Sequence, residues 1–290
     1  MKQSIGFIGL GKMGVNIVTH LQVQGIDVVA YNRTPKPEST VQTLPELVKK
    51  LIAPRVIFLM VPSKAVDEVI GQLTLNNGDT LIDGGNSFYK DSVRRSEELS
   101  KKGVHFVDCG TSGGLEGAST GACLMLRGDQ EIVKNLSWLW DAMAIKNGWA
   151  YFGSAGAGHF VKMVHNGIEY GMDQAIGEGI EILAKAPYQL DLAKVADTWT
   201  KGSIVRSYLV ELLARALQKD PILAGFTGHV GGGETGGWTL AAAREFGVDA
   251  PVIADALAAR QKSLATPTTS SKVVSALRKE YGGHEEAKGV

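Results

Sequence analysis

The sequence predicts an α/β domain built on a doubly wound parallel sheet, followed by an all-helical domain. Three observations predict this fold class. Short apolar runs alternate with helical patterns over residues 1–155, a glycine-rich turn joins the first run to the first helix, and strand patterns are scarce over residues 156–290. Strands separated by helices form parallel units with right-handed crossovers. We expect the two domains to meet near residue 155, in the glycine-rich stretch 153–158.

The individual elements follow from apolar periodicity and from Gly and Pro breakers. The elements predicted in the first domain are strands at 4–8, 26–31, 55–61, 80–82 and 104–107, a helix from the glycine-rich turn to about residue 24, and a helix at 91–102. The helices predicted in the second domain are 158–185, 191–218, 236–246 and 251–265. The last ten residues are polar, and we expect them to form a tail.

Composition excludes several classes of function. Thirty basic residues balance thirty acidic residues, so no overall field attracts nucleic acid or an anionic membrane. The longest apolar runs, such as 56–61, have strand length, far below the roughly 18 residues of a membrane span. Glycines interrupt the N-terminal segment, which argues against a signal peptide. Cys109 and Cys123 make neither a disulfide framework nor a metal site, so we expect reduced thiols, a cytoplasmic location and no metal.

The glycine-rich turn after the first strand predicts a dinucleotide site. Gly9 permits a tight turn, Gly11 lets the backbone approach a pyrophosphate, and Gly14 lets the helix pack closely on the strand. The N-terminus of the following helix offers N–H groups to the phosphates. The predicted cofactor-binding residues are Gly9, Leu10, Gly11, Lys12, Met13 and Gly14, with Val61 at the end of the third strand.

Cofactor choice is predicted by Asn32, Arg33 and Thr34, which follow the second strand. An Asp or Glu there would bind the ribose hydroxyls of NAD, whereas a guanidinium and a hydroxyl suit the 2′-phosphate of NADP. The sequence therefore favours NADP. NAD stays open because Arg33 could also stack on the adenine, and a solvated loop cation is the alternative reading of this arginine.

Two more glycine clusters follow the fourth and fifth strands, DGGNS at 83–87 and TSGG at 111–114. In a doubly wound sheet, ligands bind beyond the carboxyl ends of the strands. Small residues there leave room for nicotinamide and substrate, while Asn86 and Ser112 supply hydrogen bonds. Taken singly, each loop is typical of an ordinary turn. With the first turn and the polar helix described next, the two loops predict one cleft between two domains.

Five polar residues with helical spacing mark the first helix of the second domain. Lys162, His165, Asn166, Glu169 and Tyr170 have offsets of 0, 3, 4, 7 and 8. At about 100° per residue, these offsets fall on one face of a helix. A base and an acid two turns apart on a rigid element suit two successive proton transfers to one small ligand. For this helix alone, the alternative is a solvated polar face.

Together these motifs resemble the decarboxylating 6-phosphogluconate dehydrogenase family of the β-hydroxyacid dehydrogenase superfamily. The string His-Asn-Gly-Ile-Glu-Tyr at 165–170 is its most specific part. The resemblance implies oxidative decarboxylation of 6-phosphogluconate to ribulose 5-phosphate in the pentose phosphate pathway, with Lys162 as the general base and Glu169 as the acid that protonates the enediol. The implied substrate-binding residues are Asn86, which also lies by the nicotinamide ribose, Ser112, Gly113, Gly114, His165, Asn166, Tyr170 and Arg206.

The C-terminal segment is similar to a family segment that reaches the phosphate bound by a neighbouring subunit. Arg278 and His284 stand six residues apart, as that segment requires. The resemblance therefore implies a homodimer or homotetramer whose tails complete each other's sites. The chain also departs from the family pattern in three ways. It is short, and Gly237 replaces a lysine that contacts phosphate in the family. The family's Gly-Asp-Met reads Gly-Met-Asp at 171–173, which leaves the role of Asp173 open.

Two other functions fit parts of the pattern. Another β-hydroxyacid dehydrogenase, acting on an unphosphorylated acid such as 3-hydroxyisobutyrate, shares Lys162 and the glycine loops. Such an enzyme would not require the combination of His165, Glu169, Arg206 and the basic tail. A non-catalytic NADP-binding sensor would keep the fold alone, and an intact Lys162 and Glu169 argue against it.

Overall fold

The computed structural model describes residues 3–289 and divides into two compact units, one ending at Met163 and one beginning at Val164. The first unit is α/β and the second is all-helical, which confirms the predicted fold class. The helix of the polar residues, α8 (Ala157–Lys185), begins in the first unit and continues into the second. Within residues 3–289, no helix is long and apolar enough to cross a membrane.

The first unit is a seven-stranded sheet with its connecting helices. Its strands are β1 (Ser4–Ile8), β2 (Asp27–Tyr31), β3 (Val56–Leu59), β4 (Thr80–Asp83), β5 (His105–Ser112), β6 (Ala122–Arg127) and β7 (Ala144–Tyr151). Its helices before α8 are α1 (Lys12–Val23), α2 (Leu44–Lys50), α3 (Val66–Gln72), α4 (Tyr89–Ser100), α5 (Gly114–Thr120), α6 (Gln130–Asn135) and α7 (Ser137–Met143).

The strand order β2-β1-β3-β4-β5-β6-β7 reverses direction at β1. Strand β1 pairs in parallel with β2 on one side and β3 on the other, and β3, β4 and β5 continue the parallel arrangement. Such a reversal leaves a crevice beyond the carboxyl end of β1, where doubly wound sheets bind ligands. One expectation needs correction, because β6 runs antiparallel to β5 and the sheet is therefore mixed. The edge strand β7 is largely exposed and lacks the apolar run that marks the predicted strands.

Buried side chains cover both faces of the sheet. Phe7 of β1 belongs to one apolar cluster and stacks on Phe58 of β3, with ring centroids 5.2 Å apart. Ile8 and Leu59, the next residues on those strands, belong to a second cluster. Successive side chains of a strand point to opposite faces, so each strand is buried on both sides. This burial explains why the central strands read as continuous apolar runs.

The second unit contains the remainder of α8 and five further helices among the described residues. They are α9 (Leu192–Trp199), α10 (Tyr208–Lys219), α11 (Glu234–Glu245), α12 (Pro251–Ser263) and α13 (Thr269–Gly282). Its core is formed by Ile180 of α8, Leu213 and Leu217 of α10, and Val273 and Leu277 of α13. Helix α13 is therefore an integral part of this unit.

Two expectations about the helical region change in detail. The predicted helix 191–218 is two helices, because Gly202 adopts φ +84° between them and Ser207 caps α10 by accepting a hydrogen bond from the N–H of Val210. The predicted polar tail begins only after α13. There, the Glu286 carboxylate accepts a hydrogen bond from the N–H of Gly228 at 2.7 Å, so this segment is held against the unit at Glu286.

Candidate active site

The glycine-rich turn has the geometry that a pyrophosphate site needs. Gly9 has φ +105°, and a Cβ atom there would meet the carbonyl oxygen of Met60. A Cβ on Gly14 would collide with the carbonyl oxygen of Gly9, so this glycine sets the close packing of α1 on β1. A Cβ on Gly11 would meet nothing within 4 Å. The turn is thus tight on its protein side and open on the side where α1 begins, at Lys12.

Asn32 joins the end of β2 to the glycine-rich turn. Its Oδ1 accepts a hydrogen bond from the N–H of Leu10 at 2.8 Å, and its Nδ2 donates to the carbonyl oxygen of Thr34 at 2.6 Å. The amide is therefore engaged with the protein backbone on both sides. Arg33 and Thr34 are exposed, and they are the residues of the predicted triplet that face solvent.

Two neighbouring cavities lie at this end of the sheet. One, of about 330 Å³, has an apolar wall that includes Val61, Pro62 and Val69, with Arg33 and Thr34 at its margin. The other, of about 750 Å³, is lined by the glycine-rich turn and by Lys12 and Lys36, among others. An apolar slot beside cations and a helix N-terminus suits the adenine and phosphates of a dinucleotide. These residues fit a nicotinamide cofactor.

The DGGNS loop is organised by a buried carboxylate. Asp83 accepts hydrogen bonds from the hydroxyl of Ser87 at 2.8 Å and the N–H of Gly85 at 3.1 Å. The buried guanidinium of Arg95 lies 3.3 Å from the same carboxylate and 2.7 Å from Asp67 of α3. These contacts leave Asn86 exposed at the tip of the loop.

Lys162 lies against strand β5. A Cβ on Gly110 would meet the Cβ of Lys162 at 2.5 Å, so this glycine makes room for the stem of the lysine. Ser112 lies two residues further along the chain, and it is followed by Gly113, the N-cap of α5 with φ +117°, and by Gly114, the first residue of that helix. Within the first unit, the structure therefore brings Lys162 close to the serine-diglycine loop.

The start of α8 is fixed by a second buried carboxylate. Asp108 accepts hydrogen bonds from the N–H of Gly156 at 3.1 Å and of His159 at 3.0 Å. Burial raises the pKa of Asp108, while the nearby His159 lowers it. The His159 ring in turn lies 2.7 Å from the Ser92 hydroxyl through Nδ1. Lys162 follows one turn later on this anchored segment.

In the second unit, the other polar residues of α8 have the predicted spacing. The Nδ1 of His165 lies 3.1 Å from the Oδ1 of Asn166 and 3.8 Å from a carboxylate oxygen of Glu169. Tyr170 is buried, and the guanidinium of Arg260 lies over its ring, 3.5 Å from the centroid. His165, Asn166, Glu169 and Tyr170 thus lie together on one helix.

A buried charged cluster surrounds Tyr170, and sequence reasoning missed its centre. Asp173 is fully buried, and its Oδ2 accepts from Arg260 and from the Tyr281 hydroxyl, each at 3.2 Å. Arg278 of α13 is also buried and belongs to this cluster, since Arg260, Tyr170 and Asp173 all act on its pKa. A signal for Asp173 existed, because its offset of 11 from Lys162 continues the polar face of α8. Arg260, one of two basic residues in the last turn of α12, gave no such signal.

The remaining predicted residues of the second unit differ in their contacts. His284 follows α13, and its ring makes an edge contact with Tyr281 at 6.0 Å between centroids. Arg206 lies on the exposed turn before α10, where its N–H donates to the carbonyl oxygen of Ser203. A Cβ on Gly237 would meet nothing within 4 Å. Among residues 3–289, no group of three or more His, Cys, Asp or Glu side chains could hold a metal ion.

Two family models match the chain. The one described as the NAD binding domain of 6-phosphogluconate dehydrogenase matches residues 4–153. The one described as the 6-phosphogluconate dehydrogenase C-terminal domain matches residues 158–288. The matches cover both units of the chain.

Relatives match at different lengths. YqeC of Bacillus subtilis, provisionally named a 6-phosphogluconate dehydrogenase, is 43% identical, over 98% of this chain and 99% of YqeC. The NAD(+)-dependent decarboxylating 6-phosphogluconate dehydrogenase of Haloferax volcanii is 40% identical over 98% of each chain. The structure of Plasmodium falciparum 6-phosphogluconate dehydrogenase, described with NADP+ and 6-phosphogluconate, superposes with a TM-score of 0.80 at 32% identity. That match covers 90% of this chain but only 62% of the Plasmodium chain. The chain belongs to the 6-phosphogluconate dehydrogenase family and has its nicotinamide-cofactor-binding domain.

Proposed function

We propose that this protein oxidises and decarboxylates 6-phosphogluconate to ribulose 5-phosphate and carbon dioxide, with NADP+ as the preferred acceptor and NAD+ as the alternative. The named relatives support the reaction, since the Haloferax enzyme is decarboxylating and the Plasmodium enzyme has 6-phosphogluconate as substrate. They leave the acceptor open, because one is NAD(+)-dependent and the other has NADP+ as cofactor. For this chain, exposed Arg33 and Thr34, which line the cavity of about 330 Å³, support NADP+.

The observation that carries the substrate assignment is the pair of buried arginines. Arg260 and Arg278 are both buried, whereas the one buried carboxylate of their cluster is Asp173. A buried guanidinium without a counter-charge is costly, and the two here face one fully buried carboxylate, Asp173, and one partly exposed carboxylate, Glu169. A phosphate group would bring further negative charge to these arginines, and the planar guanidinium suits phosphate oxygens. An unphosphorylated hydroxyacid would leave the two guanidinium groups without this ligand. Arg206 stays a further phosphate ligand predicted from the resemblance alone.

Lys162 is the proposed general base. A bound NADP+ supplies the hydride acceptor for C3 of the substrate. A neutral Lys162 takes the proton of the C3 hydroxyl as that hydride leaves. The lysine, now charged, then donates a hydrogen bond and its proton to the C3 ketone oxygen, which draws electrons from the breaking bond to the carboxylate. Ser112 and the glycines after it, at the strand against which Lys162 packs, are proposed to hold the substrate there.

Glu169 is the proposed acid for the last step. Carbon dioxide leaves an enediol, and to give ribulose 5-phosphate a proton must reach its C1 carbon while the C2 hydroxyl returns its proton to Lys162. Glu169 lies two turns beyond Lys162 on α8, about 10 Å further along the helix axis. Its carboxylate lies 3.8 Å from the His165 ring. Each acid or base role of this kind contributes about 10²–10⁴ in rate.

A spectrophotometric assay with carbon dioxide detection tests the proposal. Purified protein is mixed with 6-phosphogluconate and either NADP+ or NAD+, and reduced cofactor and carbon dioxide are followed together. We expect equal amounts of both products, and a higher kcat/KM with NADP+. No turnover with either cofactor would overturn the substrate assignment, and 3-hydroxyisobutyrate would be tested next. Cofactor binding without turnover of any acid would indicate a sensor.

Mixing two inactive variants tests the proposed assembly. The resemblance supports a homodimer or homotetramer in which Arg278 and His284 complete a neighbour's site. In the structure, Arg278 already lies in the cluster around Tyr170 of its own chain. Mixing inactive Lys162→Met protein with inactive Arg278→Ala protein separates the two arrangements. Activity returns in the mixture if Arg278 acts across subunits and stays absent if it acts within one.

A further inference from the structure

Asp173 stands apart from the proposed catalytic steps, yet it is the centre of the buried cluster. We propose that Asp173 is a positioning residue that couples anion binding to proton uptake: it holds Arg260 and Tyr281 in both states, and on taking up a proton it ceases to neutralise Arg260, whose charge is then available to the substrate phosphate. This inference rests on the proposed function, because it assumes that the cluster is the phosphate end of the site.

The hydrogen bonds of Asp173 leave one position for a proton. Its Oδ2 accepts from both Arg260 and Tyr281 at 3.2 Å. Its Oδ1 is buried and has no hydrogen-bond partner among the described residues. A buried carboxylate oxygen without a donor is costly while the group is charged. A proton on Oδ1 removes this cost and leaves both contacts of Oδ2 in place.

The groups that face Asp173 come from three helices, and their charges oppose one another. They are Glu169 and Tyr170 on α8, Arg260 on α12, and Arg278 and Tyr281 on α13. Burial, with the nearby Glu169 charge, raises the pKa of Asp173 to about 7, while Arg260, the Tyr281 hydroxyl and Arg278 lower it. Burial also raises the pKa of Tyr281, so its hydroxyl stays a donor.

Charge balance gives the direction of the coupling. With Glu169 counted, the two arginines and the two carboxylates sum to zero while Asp173 is ionised, and they sum to one positive charge when Asp173 is protonated. A dianion therefore binds more tightly to the protonated form, and by reciprocity a bound dianion favours protonation of Asp173. Anion affinity should accordingly fall as the pH rises through 7, which is the opposite of what ionisation of the phosphate itself would cause.

Sulfate is the probe that separates these effects, because it stays a dianion across this pH range. Isothermal titration calorimetry of the whole protein at pH 7, in two buffers of different ionisation enthalpy, counts protons taken up per sulfate. We expect about half a proton in the wild type, since a group with a pKa of about 7 is already half protonated there. Sulfate affinity should fall roughly three- to tenfold from pH 6 to pH 8.

Two variants assign the proton to Asp173. Asp173→Asn should lose most of the proton uptake on sulfate binding, leaving only what His165 and His284 contribute. Its sulfate affinity should also depend less on pH. Tyr281→Phe removes a hydrogen bond that favours the charged form, so the inflection should move to higher pH. Asp249→Asn, at an exposed position, is the matched control and should behave as the wild type does.

The outcomes separate this inference from the proposed function. Wild-type protein that binds sulfate without proton uptake, or Asp173→Asn protein that keeps the uptake, would overturn the inference. Failure to bind sulfate at all would overturn it too, and would also remove the phosphate assignment of the cluster. Proton uptake that depends on Asp173, in a protein that does not oxidise 6-phosphogluconate, would support the coupling and reject the proposed substrate. If Asp173→Asn fails to fold, Tyr281→Phe decides, because an inflection that does not move to higher pH in that variant would overturn the inference.

Discussion

The cofactor end of the first unit and the arginine cluster of the second unit are built from different chemical groups. The first relies on backbone: Gly9, Gly11 and Gly14 shape a turn, and the N-terminus of α1 supplies N–H groups. The second relies on long charged side chains from α8, α12 and α13, held by burial and by Asp173. Backbone sites depend on local geometry, whereas side-chain clusters depend on charge balance. Variants at the two ends should therefore fail in different ways.

The largest effect is expected at Lys162, which lies on the helix that both units share. Lys162→Met removes the proposed base, so kcat should fall by at least about 10²–10⁴, while NADP+ affinity measured by fluorescence stays within about twofold. Lys185→Met, at the other end of α8, is the matched control and should keep activity. Near-normal turnover of Lys162→Met would reject the mechanism.

Glu169→Gln should slow the reaction less than the lysine variant. The proton for C1 can still come from water, so we expect kcat to fall by about 10–10² with little change in KM. Stopped-flow detection of reduced cofactor should then show a fast first phase, because hydride leaves C3 before the acid acts. An unchanged steady-state rate would exclude Glu169 as the acid.

The comparison between Arg260 and Arg206 sharpens the assignment of the phosphate ligands. Arg260→Ala should raise the KM for 6-phosphogluconate about tenfold to a hundredfold, because hydrogen bonds between charged groups contribute about 1.5–3 kcal/mol. Arg206→Ala, at an exposed turn, should have a smaller effect on the same constant, and neither should change the KM for NADP+. A larger rise in this KM for Arg206→Ala than for Arg260→Ala would indicate that Arg206 makes the main phosphate contact.

Glycine variants test the backbone-built end. Gly14→Ala places a methyl group on the carbonyl oxygen of Gly9, so it should lower both thermal stability and cofactor affinity. Gly11→Ala has free space, so its melting temperature should match the wild type while its affinity for NADP+ falls. Differential scanning fluorimetry with and without NADP+ measures both quantities. Equal changes in melting temperature and in NADP+ affinity for the two variants would contradict a site formed by the backbone around Gly11.

The smallest effect concerns stability against pH in the absence of ligands. The pKa of Asp173 is about 7 in the folded protein, against about 3.9 in an unfolded chain. Between these values the folded state binds more protons, so ionising Asp173 lowers the free energy of unfolding as the pH rises from about 4 to about 7. Asp173→Asn lacks this loss, and its melting temperature should improve relative to the wild type over that range. A difference in melting temperature between the two proteins that stays constant over this pH range would show that folding does not raise the pKa of Asp173.

The cofactor end could be read from the sequence because its signals are local. A strand, three spaced glycines and a helix occur within about twenty residues, and the polar face of α8 follows from spacing within one helix. The cluster around Asp173 could not be read in this way. Its partners Arg260 and Tyr281 lie 87 and 108 residues away along the chain, and no local pattern pairs them. The packing of α13 into the core was equally non-local.

The double hydrogen bond of Asn32 has a consequence for redesign of cofactor preference. Because this amide ties the glycine-rich turn to the end of β2, an acidic residue at position 32, the usual route to NAD, would also remove the donor to Thr34. A designer who wants an NAD-selective variant should keep Asn32 and alter Arg33 and Thr34, whose side chains face solvent. In this chain, Asn32 occupies the position expected to select the cofactor, but its side chain holds the glycine-rich turn in place. Cofactor specificity can instead be changed at Arg33 and Thr34, the two residues that follow it.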